Sequence, residues 1–267
     1  MVASEVATPT IAVYASAERS DVLGTPQEMA SLLNLPLVEG PTDDYDLLLV
    51  ITEERLELHQ TDDQVGPVYC DFMSGDFRRR RSGSLRSELL AKAVGFRGEP
   101  LSVVDATAGF GRDALLLALL GCRVTAIERD RVVAALLVDG VHRALGYPDL
   151  MDAVERLELM TADARDHLAA LDTPPDVIYL DPMFVSRNRT ARPKKELWAL
   201  ARLVRDDDDG ASLLAAALAT GCRRVVVKRP DNGPALKAPD GREPSTQFRG
   251  KTVRFDVYLQ PEVAGTA

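Results

Sequence analysis

Cysteine and histidine are scarce in this chain, and long apolar runs are absent. Three cysteines and three histidines occur among 267 residues. The cysteines are widely separated and form no CxxC pair, which disfavours a disulfide framework or a zinc site and fits a reducing compartment. No apolar run reaches the roughly 18–20 residues that a membrane span requires. With no basic start followed by an apolar segment, the sequence predicts a cytoplasmic protein without membrane anchor or metal.

The charge is acidic in total but unevenly distributed. A formal net charge of −9 would disfavour a nucleic-acid partner if it were spread evenly. Basic residues instead cluster at positions 78–81, 187–195 and 228–229. Local patches decide where a polyanion docks, so these clusters keep RNA open as a partner. Each cluster alone is equally well explained as solvated surface.

The pattern of apolar residues divides the chain into two regions. Short strands prevail up to about residue 75, with a hairpin predicted from the apolar runs at 47–51 and 56–58. The segment 73–84, rich in Gly, Arg and Ser, is typical of a boundary loop. We therefore predict a small strand-rich α+β domain over residues 1–78 and a larger domain over residues 79–267.

Strands and helices alternate in the larger region. The predicted strands are 101–106, 122–128, 157–163, 176–181, 223–230 and 253–259. The predicted helices are 85–94, 113–120, 132–145, 194–204 and 212–219. This alternation implies right-handed crossovers and therefore an α/β fold with a doubly wound, mostly parallel sheet.

A glycine loop follows the first of these strands. The strand ends at Asp105, and Gly109 and Gly111 stand between it and a helix. Glycines there allow a sharp turn and a close approach of backbone to ligand. The next strand ends in Glu128, whose carboxylate can accept hydrogen bonds from both hydroxyls of a ribose. Ligands of such sheets bind at the carboxyl ends of the strands, so the pattern predicts a nucleotide-type cofactor.

The acid next to this loop favours one cofactor over another. Ala114 replaces the third glycine of the dinucleotide motif, and Asp113 lies where a pyrophosphate would approach. An acid disfavours a phosphate but suits a cationic ligand. S-adenosylmethionine carries a sulfonium and an ammonium and no phosphate. The four acids Asp105, Asp113, Glu128 and Asp163 therefore favour S-adenosylmethionine over NAD.

The fourth strand of this region ends in Asp181, Pro182, Met183 and Phe184. The tetrapeptide resembles the (Asp/Asn)-Pro-Pro-(Tyr/Phe/Trp) signature of methyltransferases that modify exocyclic or amide nitrogens. A carboxylate and a carbonyl accepting both N–H bonds can re-aim the delocalised lone pair, while Pro182 fixes the backbone and Phe184 stacks on the base. We predict Asp181, Pro182 and Phe184 as catalytic. Met183 departs from the signature and leaves the target nitrogen open.

The segments DATAGFGRDA, AIERDRVVAALLVDG, YLDPMF and RRVVVKRPD together resemble the RsmJ family. Its members are bacterial methyltransferases that use S-adenosyl-L-methionine to modify a guanine N2 in small-subunit (16S) ribosomal RNA. The resemblance covers most of the chain and is weakest over the first 40 residues. It implies a class I, Rossmann-like methyltransferase fold. The cofactor contacts that it implies are Arg112, Asp113, Glu128, Arg129, Asp163, Ala164 and Asp181.

The resemblance also gives the basic clusters a role. The segment after the tetrapeptide leaves the active-site edge, where cations can meet the phosphates beside an extruded guanine. We predict small-subunit ribosomal RNA, naked or assembled in the subunit, as the partner. The predicted RNA contacts are Arg187, Arg189, Lys194, Lys195, Lys228 and Arg229.

Three alternatives remain open at this point. A methyltransferase that modifies another nucleobase amine or a protein amide would use the same carboxylate chemistry, although it would have little need for three basic clusters. An NAD-dependent reductase should show a third glycine and an acid/base group such as Tyr-x-x-x-Lys. A non-catalytic RNA-binding factor would not need the intact glycine loop, Glu128 and the tetrapeptide. A titration with the cofactor would distinguish such a factor from a methyltransferase.

Overall fold

The computed structural model describes residues 9–19, 24–62, 66–182, 203 and 210–260. By internal contacts the chain forms two compact units. Among the described residues, the first unit contains positions up to 71, 130–143 and 203, and the second contains 72–129, 144–182 and 210–260. The domain boundary at residue 78 stays a prediction.

The first unit contains a four-stranded sheet of order β2-β1-β3-β4. Its elements are β1 Ile11–Ala15, α1 Pro26–Leu33, β2 Leu37–Val38, β3 Leu47–Ile51 and β4 Leu56–Gln60. Strand β1 is parallel to β2 and β3, whereas β3 and β4 are antiparallel, which confirms the predicted hairpin. Helix α1 begins at a capping box in which Thr25 and Glu28 each bond the other's backbone N–H.

The second unit contains a seven-stranded sheet of order β10-β11-β9-β8-β5-β6-β7. The strands are β5 Ser102–Asp105, β6 Arg123–Glu128, β7 Leu157–Thr161, β8 Val177–Leu180, β9 Arg224–Pro230, β10 Thr246–Arg249 and β11 Val253–Leu259. Strands β5 to β9 are parallel, and β10 and β11 add an antiparallel edge. The chain runs outward from β5 to β7 and then returns to β8 beside β5. The switch point of the sheet therefore lies between β5 and β8.

Helices connect these strands in the manner of a doubly wound fold. They are α2 Gly75–Ser82, α3 Leu89–Val94, α4 Arg112–Leu119, α5 Arg131–Ala144, α6 Pro148–Val154, α7 Ala164–Ala169 and α8 Gly210–Ala219. All of them except α5 lie in the second unit. The predicted α/β class with a mostly parallel sheet is confirmed. Within the described ranges, no helix has the length and apolarity to cross a membrane.

The arginine-rich segment differs from its prediction as a loop, because residues 75–82 form helix α2. Ser74 caps the helix by accepting the N–H of Phe77, and the Phe77 ring packs on Phe72 with centroids 5.7 Å apart. Arginine is a good helix former, and Arg80 and Arg81 both find carboxylate partners. The helix predicted at 194–204 lies outside the described residues.

Helix α5 is fixed within the first unit by a buried charge. Asp139 is 0% exposed and accepts hydrogen bonds from Arg19 at 2.7 Å and from Arg143 at 2.8 Å. Arg143 also donates to the carbonyl of Cys70. A buried carboxylate is costly unless cations compensate it, so these two arginines hold the helix against earlier parts of the chain.

Candidate active site

The loop after β5 crosses the carboxyl edge of the second sheet. Gly109 and Gly111 have φ angles of 53° and 68°, in the left-handed region that favours glycine. The N–H of Ala106 donates to the carbonyl of Tyr179 in β8, and that of Ala108 donates to β6. The loop is therefore anchored on both sides, and Gly111 leads directly into α4.

Glu128 ends β6 beside this loop. One of its carboxylate oxygens, Oε2, accepts the N–H of Gly109 at 2.9 Å. A carboxylate offers about four acceptor positions, so this bond fixes the group without exhausting it. Arg129 follows on the surface, and Arg112 opens α4 with partial exposure. The placement suits a ligand that presents hydroxyl groups.

Asp113 lies buried in the first turn of α4 and is held by three donors. Its Oδ1 accepts from Arg80 at 2.8 Å, and its Oδ2 accepts from the Tyr179 hydroxyl and from Lys228, both at 2.7 Å. Burial alone would raise the pKa of Asp113, but Lys228 and Arg80 hold it well below its ordinary range. The carboxylate therefore binds cations of the protein, and its predicted contact with a cationic cofactor stays a prediction.

Asp181 is the first residue after β8 and is held in two ways. Its Oδ2 accepts from Lys228 Nζ at 2.7 Å, and its backbone N–H donates to Thr107 Oγ1 at 2.6 Å. Its side chain is 38% exposed, which leaves the carboxylate accessible to a ligand. Partial burial and the Asp113 carboxylate raise the pKa of Asp181 above its ordinary value, against the opposing charge of Lys228. Pro182 follows as a buried residue.

Asp105 lies at the same edge but behaves differently. It is 1% exposed, and its Oδ1 accepts the N–H of Thr107 at 3.1 Å. Burial raises the pKa of Asp105 to about 8, with smaller contributions from Asp113 and Asp181. At neutral pH this carboxyl group is therefore mostly protonated and adds little negative charge to the site.

Asp163 caps α7, which begins with the buried residue Ala164. The Oδ1 of Asp163 accepts the backbone N–H of Arg165 at 2.9 Å, and the guanidinium of Arg165 also donates to the carboxylate. These bonds lower the pKa of Asp163. The local role of this residue is thus helix capping, and its predicted contact with a cofactor stays a prediction.

Two of the predicted RNA contacts occupy interior positions. Lys228 bridges Asp113 and Asp181. Arg229 is 4% exposed, and its Nε donates to the carbonyl of Pro234 at 2.8 Å. Both side chains thus bind other groups of the protein, and their predicted contacts with RNA stay predictions. The other predicted RNA contacts, Arg187, Arg189, Lys194 and Lys195, and the predicted stacking residue Phe184, lie outside the described residues.

The sequence reasoning missed Thr107, Tyr179 and Arg80 as parts of this site. Alternation along β8 was a usable signal, because residues two apart share a face and Tyr179 stands two before Asp181. Arg80 gave no such signal once its segment was predicted as a loop.

The site contains an accessible carboxylate beside a glycine loop and an acid suited to hydroxyl groups. This arrangement can bind a nucleoside-type ligand and accept hydrogen bonds from an amine next to it. Among the described residues, no group of three or more His, Cys, Asp or Glu is arranged to hold a metal ion.

Comparisons with known proteins agree with this chemistry. A family model described as "Putative SAM-dependent methyltransferase" matches residues 29–260. A relative from Thioalkalivibrio sulfidiphilus, named ribosomal RNA small subunit methyltransferase J, is 48% identical over 92% of this chain and 96% of its own. A protein of the same name from Aeromonas salmonicida is 47% identical over 89% and 94%. The crystal structure of a SAM-dependent methyltransferase from Neisseria gonorrhoeae is 33% identical, with a TM-score of 0.72 over 96% of this chain and 97% of that chain.

Proposed function

The chain belongs to the SAM-dependent methyltransferase family, and from this premise we propose that it methylates the exocyclic N2 of a guanine in small-subunit ribosomal RNA. The predictions of S-adenosylmethionine as cofactor and of methyl transfer as the activity are confirmed by this membership. Relatives named for small-subunit ribosomal RNA support the choice of substrate. The observation that carries the proposal is Asp181 at the end of β8, accessible and next to the glycine loop.

The residues at the carboxyl edge fit S-adenosylmethionine. The backbone of Gly109 and Gly111 has no side chain to obstruct a ligand, and Glu128 can accept hydrogen bonds from ribose hydroxyls. Further proposed contacts are Asp105, Arg112, Asp113, Arg129, Asp163, Ala164 and Asp181. When bound, the cofactor supplies an electrophilic methyl group on a sulfonium. Catalysis by the chain is therefore a matter of positioning and electrostatics.

Asp181 acts on the guanine amine in this proposal. The N2 lone pair is delocalised into the ring, and a carboxylate accepting an N–H bond helps to localise it. The nitrogen gains the methyl group and loses one proton, which Asp181 accepts and passes to water through its exposed side. Pro182 fixes the backbone at this point through its restricted φ. We propose Phe184 as the ring that stacks on the base.

The RNA is proposed to bind through the cations after the tetrapeptide. Arg187, Arg189, Lys194 and Lys195 follow Asp181 closely in sequence and carry the charge that phosphates require. Because phosphate contacts release counterions, RNA affinity should fall with rising salt while cofactor affinity changes little. The proposal includes a cytoplasmic location, where ribosomal RNA is the substrate either naked or within the small subunit.

The substrate class is tested by transfer of labelled methyl from S-adenosylmethionine. Small-subunit RNA without native modifications, assembled small subunits, large-subunit RNA and a protein extract are offered in parallel. We expect label in small-subunit RNA or subunits. Asp181→Asn should reduce transfer by about 10²–10⁴-fold, since a positioned general base contributes on that order.

Asp172→Asn serves as the matched control, because Asp172 is an exposed aspartate of the same unit. It should retain full transfer. Label in protein alone would contradict the proposal and favour an amide-modifying enzyme. Equal transfer to large-subunit RNA would remove the small subunit as the target.

A further inference from the structure

Lys228 joins the accessible carboxylate of Asp181 to the buried carboxylate of Asp113. Its Nζ lies 2.7 Å from Asp181 Oδ2 and 2.7 Å from Asp113 Oδ2. An ammonium has three N–H donors, and two of them are thus directed to carboxylates. The lysine side chain is 23% exposed, so most of its length is enclosed by the protein.

The partners of this bridge come from several elements. Asp113 of α4 also accepts from Arg80 of α2 and from the Tyr179 hydroxyl of β8. The charge of Arg80 also lowers the pKa of Asp181, and Asp181 in turn raises the pKa of Asp105 in β5. Asp113 is therefore a fixed anchor held by three donors, and Lys228 transmits that fixed position to Asp181.

We propose that Lys228 is a positioning residue that keeps the Asp181 carboxylate ionised and aimed for the amine of the target base. This inference rests on the proposed function, because it assigns Asp181 the role of hydrogen-bond acceptor. The backbone of Asp181 is held separately by Thr107, so the lysine controls the side chain. Lys228 was predicted as a phosphate contact, and that stays a prediction; the contacts seen here are to the carboxylates of Asp113 and Asp181.

The charge of Lys228 has a measurable consequence. A cation within about 4–6 Å lowers the pKa of an aspartate, so removal of the cation raises it. Activity that needs ionised Asp181 falls at low pH, and this fall is the acid limb of the profile of kcat against pH. The acid limb should move to higher pH when the cation is lost. A lysine that only filled space would affect stability without moving the limb.

The test measures kcat against pH for wild type, Lys228→Met and Lys228→Arg on small-subunit RNA. Lys228→Met should lower kcat by at least about tenfold and move the acid limb upward by about one pH unit or more. Lys228→Arg retains the charge and should keep the limb near its wild-type position. The matched control is Lys237→Met, an exposed lysine of the same unit, which should leave both quantities unchanged. An unmoved limb in folded Lys228→Met would overturn the proposal.

A second variant covers the case in which Lys228→Met does not fold. Lys228→Cys can be aminoethylated after purification to restore an ammonium at this position, and the native cysteines Cys70, Cys122 and Cys222 are buried. If aminoethylation restores kcat and returns the acid limb to its wild-type position, the proposal is supported. If it restores only the stability of the protein, the proposal is contradicted.

Carbon-13 NMR of labelled aspartate carboxyls separates this inference from the proposed function. The Asp181 signal is assigned by its loss in Asp181→Asn, and its pKa is then titrated without any substrate. The two variants without a charge at this position are Lys228→Met and untreated Lys228→Cys. A higher pKa of Asp181 in these variants than in wild type supports the role of Lys228, even if RNA proves to be the wrong substrate. An identical pKa in wild type and these variants would overturn it.

Discussion

Two buried aspartates in this protein are each paired with two cations. Asp113 in the second unit is held by Arg80 and Lys228, and Asp139 in the first unit is held by Arg19 and Arg143. The pairing distances in both clusters lie between 2.7 and 2.8 Å. Asp113 also accepts from the Tyr179 hydroxyl. The difference that bears on function is that Lys228, a cation of the first cluster, also binds Asp181, a residue of the proposed active site.

This difference separates stability from function. A buried ion cluster by itself indicates only that a charge has been compensated. The cluster becomes relevant to catalysis when one of its members contacts a reacting group, as Lys228 does through Asp181. Disruption of the two clusters should therefore cost similar stability but have different effects on methyl transfer.

The largest expected effect compares Asp113→Asn with Asp139→Asn. Each change leaves two cations without their buried carboxylate, which costs on the order of 3 kcal/mol of unfolding free energy. Asp113→Asn should also lower the transfer rate per folded molecule by about tenfold or more, because Lys228 loses its anchor. Urea unfolding and single-turnover transfer on the same preparations check this. Equal loss of transfer in both variants would break the comparison.

Asp105 provides the next test, because this buried carboxyl group is neutralised by a proton, whereas Asp113 and Asp139 are paired with cations. Its pKa is about 8 when folded and 3.8 ordinarily, so between these values the folded state holds a proton that the unfolded chain releases. The stability that this group contributes is fully present below pH 3.8. It is lost progressively as the pH rises from there to about 8. Relative to Asp105→Asn, wild-type unfolding free energy should fall by about 1.4 kcal/mol per pH unit between pH 5 and 7. Parallel urea-unfolding results for the two proteins would contradict this.

Glu128 tests a carboxylate that is bonded to a backbone amide. Glu128→Gln should weaken S-adenosylmethionine binding by about tenfold to a hundredfold, because a charge-assisted hydrogen bond contributes about 1.5–3 kcal/mol. Calorimetric titration measures this affinity. Asp139→Asn is the control and should bind with wild-type affinity, while unchanged affinity in Glu128→Gln would remove this residue from the cofactor site.

The smallest effect is expected at Arg79, the neighbour of Arg80 in α2. Arg79 pairs with Asp76 on the surface, and exposed pairs contribute less than about 1 kcal/mol. Arg79→Gln should therefore leave thermal unfolding and transfer almost unchanged, whereas Arg80→Gln should lower both. A larger effect of Arg79→Gln than of Arg80→Gln would contradict the role given to Arg80 as a partner of Asp113.

The sequence allowed the edge of the site to be predicted because residues at strand ends meet there by topology alone. Asp105 and Glu128 each end a parallel strand and Asp181 directly follows one, so the structure places them at one edge. Hydrogen-bond partners could not be predicted in the same way. Asp113 has its role set by Arg80, 33 residues earlier, and Lys228, 115 residues later. Such partners depend on packing between elements, which local patterns do not encode.

Helix α2 shows why a local pattern can mislead. Glycine and serine around four arginines are typical of a loop, yet Ser74 caps a helix whose arginines bind carboxylates. Composition describes the average surroundings of a residue type, whereas here tertiary ion pairs determine the outcome. The contacts of Lys228 with Asp113 and Asp181, and of Arg229 with Pro234, are likewise tertiary and could not be predicted from composition.

Identification of the methylated nucleoside is the decisive test of guanine N2 methylation by this protein. Small-subunit RNA without native modifications is treated with S-adenosylmethionine and either wild type or Asp181→Asn, digested, and analysed by mass spectrometry against nucleoside standards. We expect N2-methylguanosine with the wild-type protein and its near absence with Asp181→Asn. Methyl groups found in another nucleoside, or equal N2-methylguanosine with both proteins, would contradict it.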